Sequence, residues 1–363
     1  QARWSASPPG RATGCLSRRS EAFVSFTVGE SVILRCRGKA DRPVRARPAV
    51  RRHVNSWECK EMRERNRAVR SLVVLLAAAV GGLTLSAATG LEENCADGPR
   101  SEVRLLTFNL RYGTASDGEN AWPHRRDLVV EILRREPWDF VGMQEALRFQ
   151  IEELAVAVPE FRWIGRGRDD GDEAGEHVPI FYRGNRWRLV HDEHFWLSET
   201  PEKPGSRSWG NQLPRMVTAG RFVEKSSGKA VWIFNTHFDH QSQESRERSA
   251  RLLTERVSRR DPPDPVVVMG DFNAGEENSA VRFLKGTVPG SPVKLVDSFR
   301  LIHPSADDVG TFHGFRGGTA GEKIDYVFVE PGTAVCSADI LRISFRGKFP
   351  SDHYPVSATI ELK

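Results

Sequence analysis

Between residues 101 and 363 the chain repeats one pattern: a short apolar run that ends in a polar residue or a turn. The runs cover 103–109, 140–144, 178–182, 187–197, 216–223, 231–236, 266–270, 324–329 and 356–362, and each reads as a β-strand. Helical spacing holds over 124–135, 148–158, 242–258 and 278–284; in the first of these Leu128, Val129 and Ile132 share one face. Strands outnumber helices about two to one, and several follow one another with no helix between them. A purely parallel, doubly wound sheet needs a crossover helix at every step, so the pattern predicts a mixed, layered α/β domain instead. Neither an internal repeat nor a Pro/Gly-rich linker interrupts the block, and its roughly 260 residues are enough to bury a substantial core.

Charge separates this block from what precedes it. The 363 residues carry a formal net charge of +5, the sign expected of a nucleic-acid binder. Residues 1–90 hold 17 Lys+Arg against 6 Asp+Glu, a net of +11, whereas 91–363 hold 36 against 42, a net of −6. The basic character therefore belongs to a leader. Residues 1–61 are rich in Arg, Pro, Ser and Gly, with one apolar patch at 22–34. They read as a disordered basic leader or as an over-extended reading frame whose start is Met62, the first methionine of the chain. From Met62, Arg63, Arg65, Arg67 and Arg70 precede an uncharged stretch at 71–89, and Ser86-Ala87-Ala88 supplies small residues for cleavage after Ala88. Residues 62–88 thus read as an export signal, the alternative being a membrane anchor retained through 71–89. Residues 89–100 are a linker and 101–363 the folded domain, expected in the periplasm or outside the cell, or membrane-anchored if the segment is kept. Five cysteines exclude a disulfide-dense scaffold, and only Cys95 and Cys336 remain after cleavage, able to pair or to stay free.

Six groups of polar residues stand at strand ends, where α/β sheets build their sites. Asn109 ends the first strand; an Asn there is most often a turn residue, so by itself it carries little. Glu145 follows the strand at 140–144, where a carboxylate needs a partner, a metal ion or a helix N-terminus to cap. His237 and Asp239 alternate with Phe238, which puts both on one face of an extended chain, although zinc would need further ligands. Asp271 and Asn273 follow Gly270, and an Asx turn accounts for one of the two. Asp325 opens an apolar strand, and Asp352 precedes His353; such carboxylates orient and charge an imidazole.

With TFNLR, MQEAL, NTHFDH, GDFNA, KIDYVF and SDHYP in this order over about residues 103–361, the chain resembles the endonuclease/exonuclease/phosphatase superfamily. That group includes pancreatic-type deoxyribonuclease, abasic-site endonucleases, inositol polyphosphate 5-phosphatases, neutral sphingomyelinases and deadenylases. The stretches at 195–201 and 213–216 look like an exported microbial branch nearest the deadenylase-like group. The resemblance implies a four-layer α/β/β/α sandwich of two mixed sheets face to face with helices outside. It implies Mg²⁺- or Mn²⁺-dependent phosphoester hydrolysis by in-line attack of water, with Glu145, Asn109 and Asp352 at the metal. His237 would donate to a phosphate oxygen, Asp271 and Asn273 would position the water, and Asp325 would orient His353. Arg111, Arg215 and His313 are candidate phosphate contacts beside the metal, while Asn120 and Trp122 could line the entrance, with core packing the alternative for Trp122. A nuclease acting on nucleic acid or nucleotides leads the substrate classes, a phosphatase or phospholipase is the alternative, and a non-catalytic binding module is the reading from another class. No stable protein partner is implied.

Overall fold

The structure, a computed structural model, describes residues 102–362. The segments assigned above to the leader, the export signal and the linker lie outside these residues. Among the described residues no helix is long and apolar enough to cross a membrane.

Two six-stranded sheets face each other. The first contains β1 (Glu102–Asn109), β2 (Phe140–Gln144), β3 (Phe161–Ile164), β4 (Ile180–Arg183), β11 (Ala334–Ile340) and β12 (Val356–Glu361), in the order β11-β12-β1-β2-β4-β3. The second contains β5 (Trp187–Trp196), β6 (Met216–Glu224), β7 (Ala230–His237), β8 (Val266–Asp271), β9 (Val296–Asp297) and β10 (Asp325–Val329), in the order β5-β6-β7-β8-β10-β9. Each sheet contains one parallel pair, β1 with β2 and β7 with β8, beside antiparallel neighbours. The crossovers of those pairs are α1 (Trp122–Arg135) and α3 (Gln243–Ser258). The remaining helices are α2 (Arg148–Ala157), α4 (Ser279–Leu284) and the short α5 (Ser298–Ile302).

Alternation along the strands builds three apolar layers. On β1, Val103 and Leu105 point between the sheets, where they meet Phe140, Phe222, Ile233 and Met269. Leu106 and Phe108 point outward and pack under α1 and α2 with Val129, Ile132, Ile151 and Leu154. On the far side Phe234, Val268 and Phe272 pack under α3 and α4 with Leu253, Val257 and Val281. This is the expected α/β/β/α order. Central strands buried on both faces read as continuous apolar runs, which is why the sequence shows them plainly.

Three strands and one helix escaped the sequence reading. β3 presents only Phe161 fully to the core, β9 is two residues long, and β11 alternates buried with half-exposed positions around a register shift between Val335 and Ser337. Short edge elements of this kind carry little periodic signal. The five-residue α5 begins where Asp297 accepts a hydrogen bond from Phe299 N. α1 starts two residues before its expected boundary, with Pro123 in its first turn, where proline's missing N–H costs nothing. Cys336 on β11 is disulfide-bonded; the other cysteines of the chain, Cys95 included, lie outside the described residues.

Candidate active site

The carboxyl ends of β1, β2, β7 and β8 come together at one end of the sandwich, so their terminal residues meet. Asn109 lies opposite Gln144, one residue before Glu145, while His237 and Asp325 both lie opposite Asp271. A cavity of about 370 Å³ opens there, lined by Arg111, Glu145, Glu176, Arg215, His237 and Asp271, and by Asn273, Asp352 and His353 farther round. Of the expected site residues, Asn109 and Asp325 stand behind this wall, 0% and 1% exposed, and act through those in front.

Asn109 separates two carboxylates. Its Nδ2 donates to Glu145 Oε1 at 3.1 Å and to Asp271 Oδ2 at 3.0 Å, while its Oδ1 accepts from Arg111 N at 2.9 Å. In this arrangement Asn109 orients both acids, and its own oxygen is engaged by the backbone. Glu145 does not cap α2, because the N-cap is Leu147; its Oε2 accepts instead from Tyr112 N at 2.8 Å. Arg111, Glu145 and Asn273 take φ values of 63°, 58° and 47°. Left-handed backbone is uncommon for such residues and concentrates at functional sites. Asn273 N donates to Asp271 Oδ1 at 2.9 Å, so the Asx turn exists, yet it uses one carboxylate oxygen and leaves Oδ2 facing the cavity.

On the other flank His353 Nδ1 donates to Asp325 Oδ2 at 2.9 Å, and its Nε2 lies 3.9 Å from Asp271 Oδ2. Thr311 Oγ1 holds the start of β10 by accepting from Ile324 N and Asp325 N. Burial opposes charge on His353, but the bonded Asp325, with Asp271 and Asp352 nearby, outweighs it and raises the imidazole well above its ordinary range. Burial and the charge of Asp325 push Asp271 up to about 7. Burial also raises Asp352, against the pull of His353, and the charge of Glu145 raises it further. His237, with Nε2 3.5 Å from Asp271 Oδ2, is driven well below its usual value by burial and by Arg215 and Arg168, and is neutral.

Two groups of donors could hold a cation. Asp271, Asp325 and His353 bring three ligand atoms within 4.8 Å of one another. Half-buried Glu145 and buried Asp352 form a second, all-oxygen pair on the Arg111 side, where the charge of Glu145 raises Asp352. Such an oxygen pair suits a hard divalent ion. The His353–Asp325 hydrogen bond already commits those two groups to each other, so the Glu145–Asp352 side is the better fit.

The remaining expected residues divide. Arg111 lines the cavity and pairs with Asp117 through Nε and Nη2, both at 2.9 Å, with Asp352 Oδ2 at 3.7 Å. Arg215 lines it too, only 3% exposed. His313 does not line it: the ring packs on Tyr354 at 4.0 Å and on Phe349 at 4.6 Å, and its neighbour Phe312 takes the place at the cavity. Trp122 belongs to the core and donates to Glu153 Oε2 at 2.8 Å. Asp239 turns to the backbone instead, accepting from Gln241 N and Ser242 N ahead of α3, with Arg215 Nε 3.6 Å from its Oδ2.

Four contributors were not anticipated. Arg125, 2% exposed, donates to the carbonyls of Leu110, Arg111, Asn120 and Pro350, tying the loop after β1 to the one before Ser351. Its signal was a charge on the apolar face of α1, at helical spacing from Val129 and Ile132. Asn235 bridges the two sheets, and Glu176 and Arg168 form a paired wall beside His237. Asn235 opens the NTHFDH run without a role assigned to it there, and Glu176 and Arg168 carried no sequence signal.

The sequence profile of the Endonuclease/Exonuclease/phosphatase family matches residues 106–353. A solved family protein from Bacteroides vulgatus is 34% identical, with a TM-score of 0.67 over 73% of this chain and 100% of that one. The mannosyl-6-phosphatase of Bacteroides thetaiotaomicron is 32% identical, with a TM-score of 0.64 over 71% and 99%. The catalytic domain of human nocturnin, 17% identical with a TM-score of 0.59 over 73% and 96%, shares the fold.

Proposed function

Because the chain belongs to the Endonuclease/Exonuclease/phosphatase family, we propose that it is a metal-dependent phosphoester hydrolase that acts on small phosphomonoesters. The observation that carries this reading is the cavity itself. About 370 Å³, walled by the terminal residues of four strands, suits a phosphate and a compact leaving group. A strand of nucleic acid gains its affinity from a basic track, and residues 91–363 carry a net charge of −6. The 32% identity with a mannosyl-6-phosphatase supports the same choice. Nuclease action, the first expectation from sequence, is the competing outcome of the test below.

Glu145 and Asp352, with Asn109 behind them, would hold the divalent ion, which when bound polarises a phosphoryl oxygen. The protein's own groups do the rest. Asp271, raised to about 7, is our assignment for the acceptor of the attacking water's proton. His353, kept cationic by Asp325, faces Asp271 and balances the charge that develops on the phosphoryl group. Neutral His237 offers its Nε2–H beside Asp271, and Asn273 is fixed by donating to Phe238 O at 3.1 Å. We further propose that the enzyme works outside the cytoplasm, by virtue of the segment from Met62 to Ala88.

Incubating the full chain with Mg²⁺ and a panel of mannose 6-phosphate, single-stranded RNA, single-stranded DNA and duplex DNA tests the reading. Release of inorganic phosphate from the sugar phosphate, with the polymers intact, is expected. Cleaved polymers and an intact sugar phosphate would make it a nuclease.

A further inference from the structure

The cavity wall beyond His237 has a composition that phosphate binding does not explain. Arg168 forks onto Glu176, Nη1 to Oε2 at 2.6 Å and Nη2 to Oε1 at 2.8 Å, and this pairing holds the carboxylate in one orientation. Glu176 lines the cavity, its side chain 13% exposed, with Oε2 3.9 Å from His237 Nδ1. Next to it stands Arg215. Its Nη2 donates to His240 Nδ1 at 2.9 Å, but Nε and Nη1 are buried without a hydrogen-bond partner, Asp239 Oδ2 being 3.6 Å from Nε. Buried polar groups are nearly always satisfied, so unpaired donors in a cavity wall point to a ligand that completes them.

Donor and acceptor side by side match one chemistry above others. A hydroxyl donates one hydrogen bond and accepts up to two, so neighbouring hydroxyls can engage a guanidinium and a carboxylate together. A second phosphate is an acceptor without a hydrogen to donate, so it leaves the Glu176 carboxylate facing another anion with no hydrogen bond between them. His237 spans the gap, with Nε2 toward Asp271 and Nδ1 toward Glu176, so this wall lies one imidazole ring away from the acid that faces the reacting group. We propose that Glu176 and Arg215 form a leaving-group subsite that grips vicinal hydroxyls of a phosphorylated sugar and rejects leaving groups bearing further phosphates. The proposal deepens the phosphomonoesterase reading and rests on it.

Steady-state kinetics of the full chain on mannose 6-phosphate and on 4-nitrophenyl phosphate, which has no vicinal hydroxyls, separate the possibilities. Glu176→Gln is expected to lower kcat/KM for the sugar phosphate at least tenfold more than for the aryl phosphate, chiefly through KM. Glu176→Asp, which keeps the charge beside Arg168 but withdraws it by one methylene, should shift the ratio in the same direction and reads the effect independently of the first variant's folding. A parallel loss on both substrates, within twofold, overturns the subsite while leaving the phosphomonoesterase reading intact. A parent enzyme that releases no phosphate from mannose 6-phosphate overturns that reading first and the subsite with it.

Discussion

Asn235 is the residue whose removal should reveal how the two sheets are joined at the active end. It is 0% exposed on β7, accepts from Gln144 Nε2 at 2.7 Å, and donates to Met143 O at 2.8 Å and Pro179 O at 2.9 Å. One side chain of the second sheet thus binds β2 and the segment entering β4 of the first, a residue away from Glu145 and two residues before His237. Asn235→Ala deletes three buried hydrogen bonds and leaves a void. At about 1 kcal/mol each, with more for groups left unpaired, the loss should be about 3–5 kcal/mol. For a domain of this size that is roughly a 10 °C drop in Tm. Urea unfolding measures it as a lower midpoint at unchanged m-value. A loss below about 1 kcal/mol would refute the bridging role. Gly142 gives a second handle, since a Cβ there would lie 2.7 Å from Asn235 Oδ1 and 2.8 Å from Met269 Cε. Gly142→Ala should destabilise by about 1–3 kcal/mol, and by less once Asn235 is alanine, because the two side chains compete for one space.

Two further outcomes follow from the charged groups. Asp325→Asn removes the charge that raises His353 and should lower kcat by about 10²–10⁴. In the proposed mechanism activity needs the cationic imidazole, so the alkaline limb of the kcat profile should also move to lower pH, and an unmoved limb would count against the pairing. The His313 imidazole is lowered to about 4, chiefly by burial, with a further contribution from His353. The folded protein therefore takes up this proton only near pH 4, while the unfolded chain takes it up near 6.5. His313 contributes full stability above about 6.5 and loses it as pH falls toward 4. The stability of His313→Phe relative to the parent should rise through that window, measured by denaturant titration at each pH; a difference independent of pH would contradict it.

The parts of this fold that the sequence discloses are those whose burial is two-sided. β1, β2, β7, β8 and β10 each sit between two apolar layers, so their runs are continuous and end sharply at the polar residues that form the site. Asn109, Glu145, Asp271 and Asp325 were legible because each breaks such a run at its end. β3, β9 and β11 lie at or near sheet edges, and their half-exposed patterns blend into loop composition. Long-range pairings were hidden for another reason. Glu176 gains its meaning from Arg168 and from His237, some sixty residues on, and Asn235 from Gln144 across the sandwich. His313, expected as a substrate contact, packs against the Phe349 and Tyr354 rings instead. Arg125 is the intermediate case, visible as a misplaced charge on a helix face but informative only once its four carbonyl partners are known.

We propose that Glu145 and its neighbours make this cavity a divalent-cation-dependent phosphomonoesterase centre. Its most direct test is the rate of phosphate release from mannose 6-phosphate by the parent and by Glu145→Gln, each titrated with Mg²⁺ after EDTA treatment. Activity in the parent that EDTA abolishes and Mg²⁺ restores is expected, with at least about a hundredfold lower activity in the variant at any Mg²⁺ concentration. Parent activity that survives EDTA, or a variant as active as the parent at the same Mg²⁺, would contradict it.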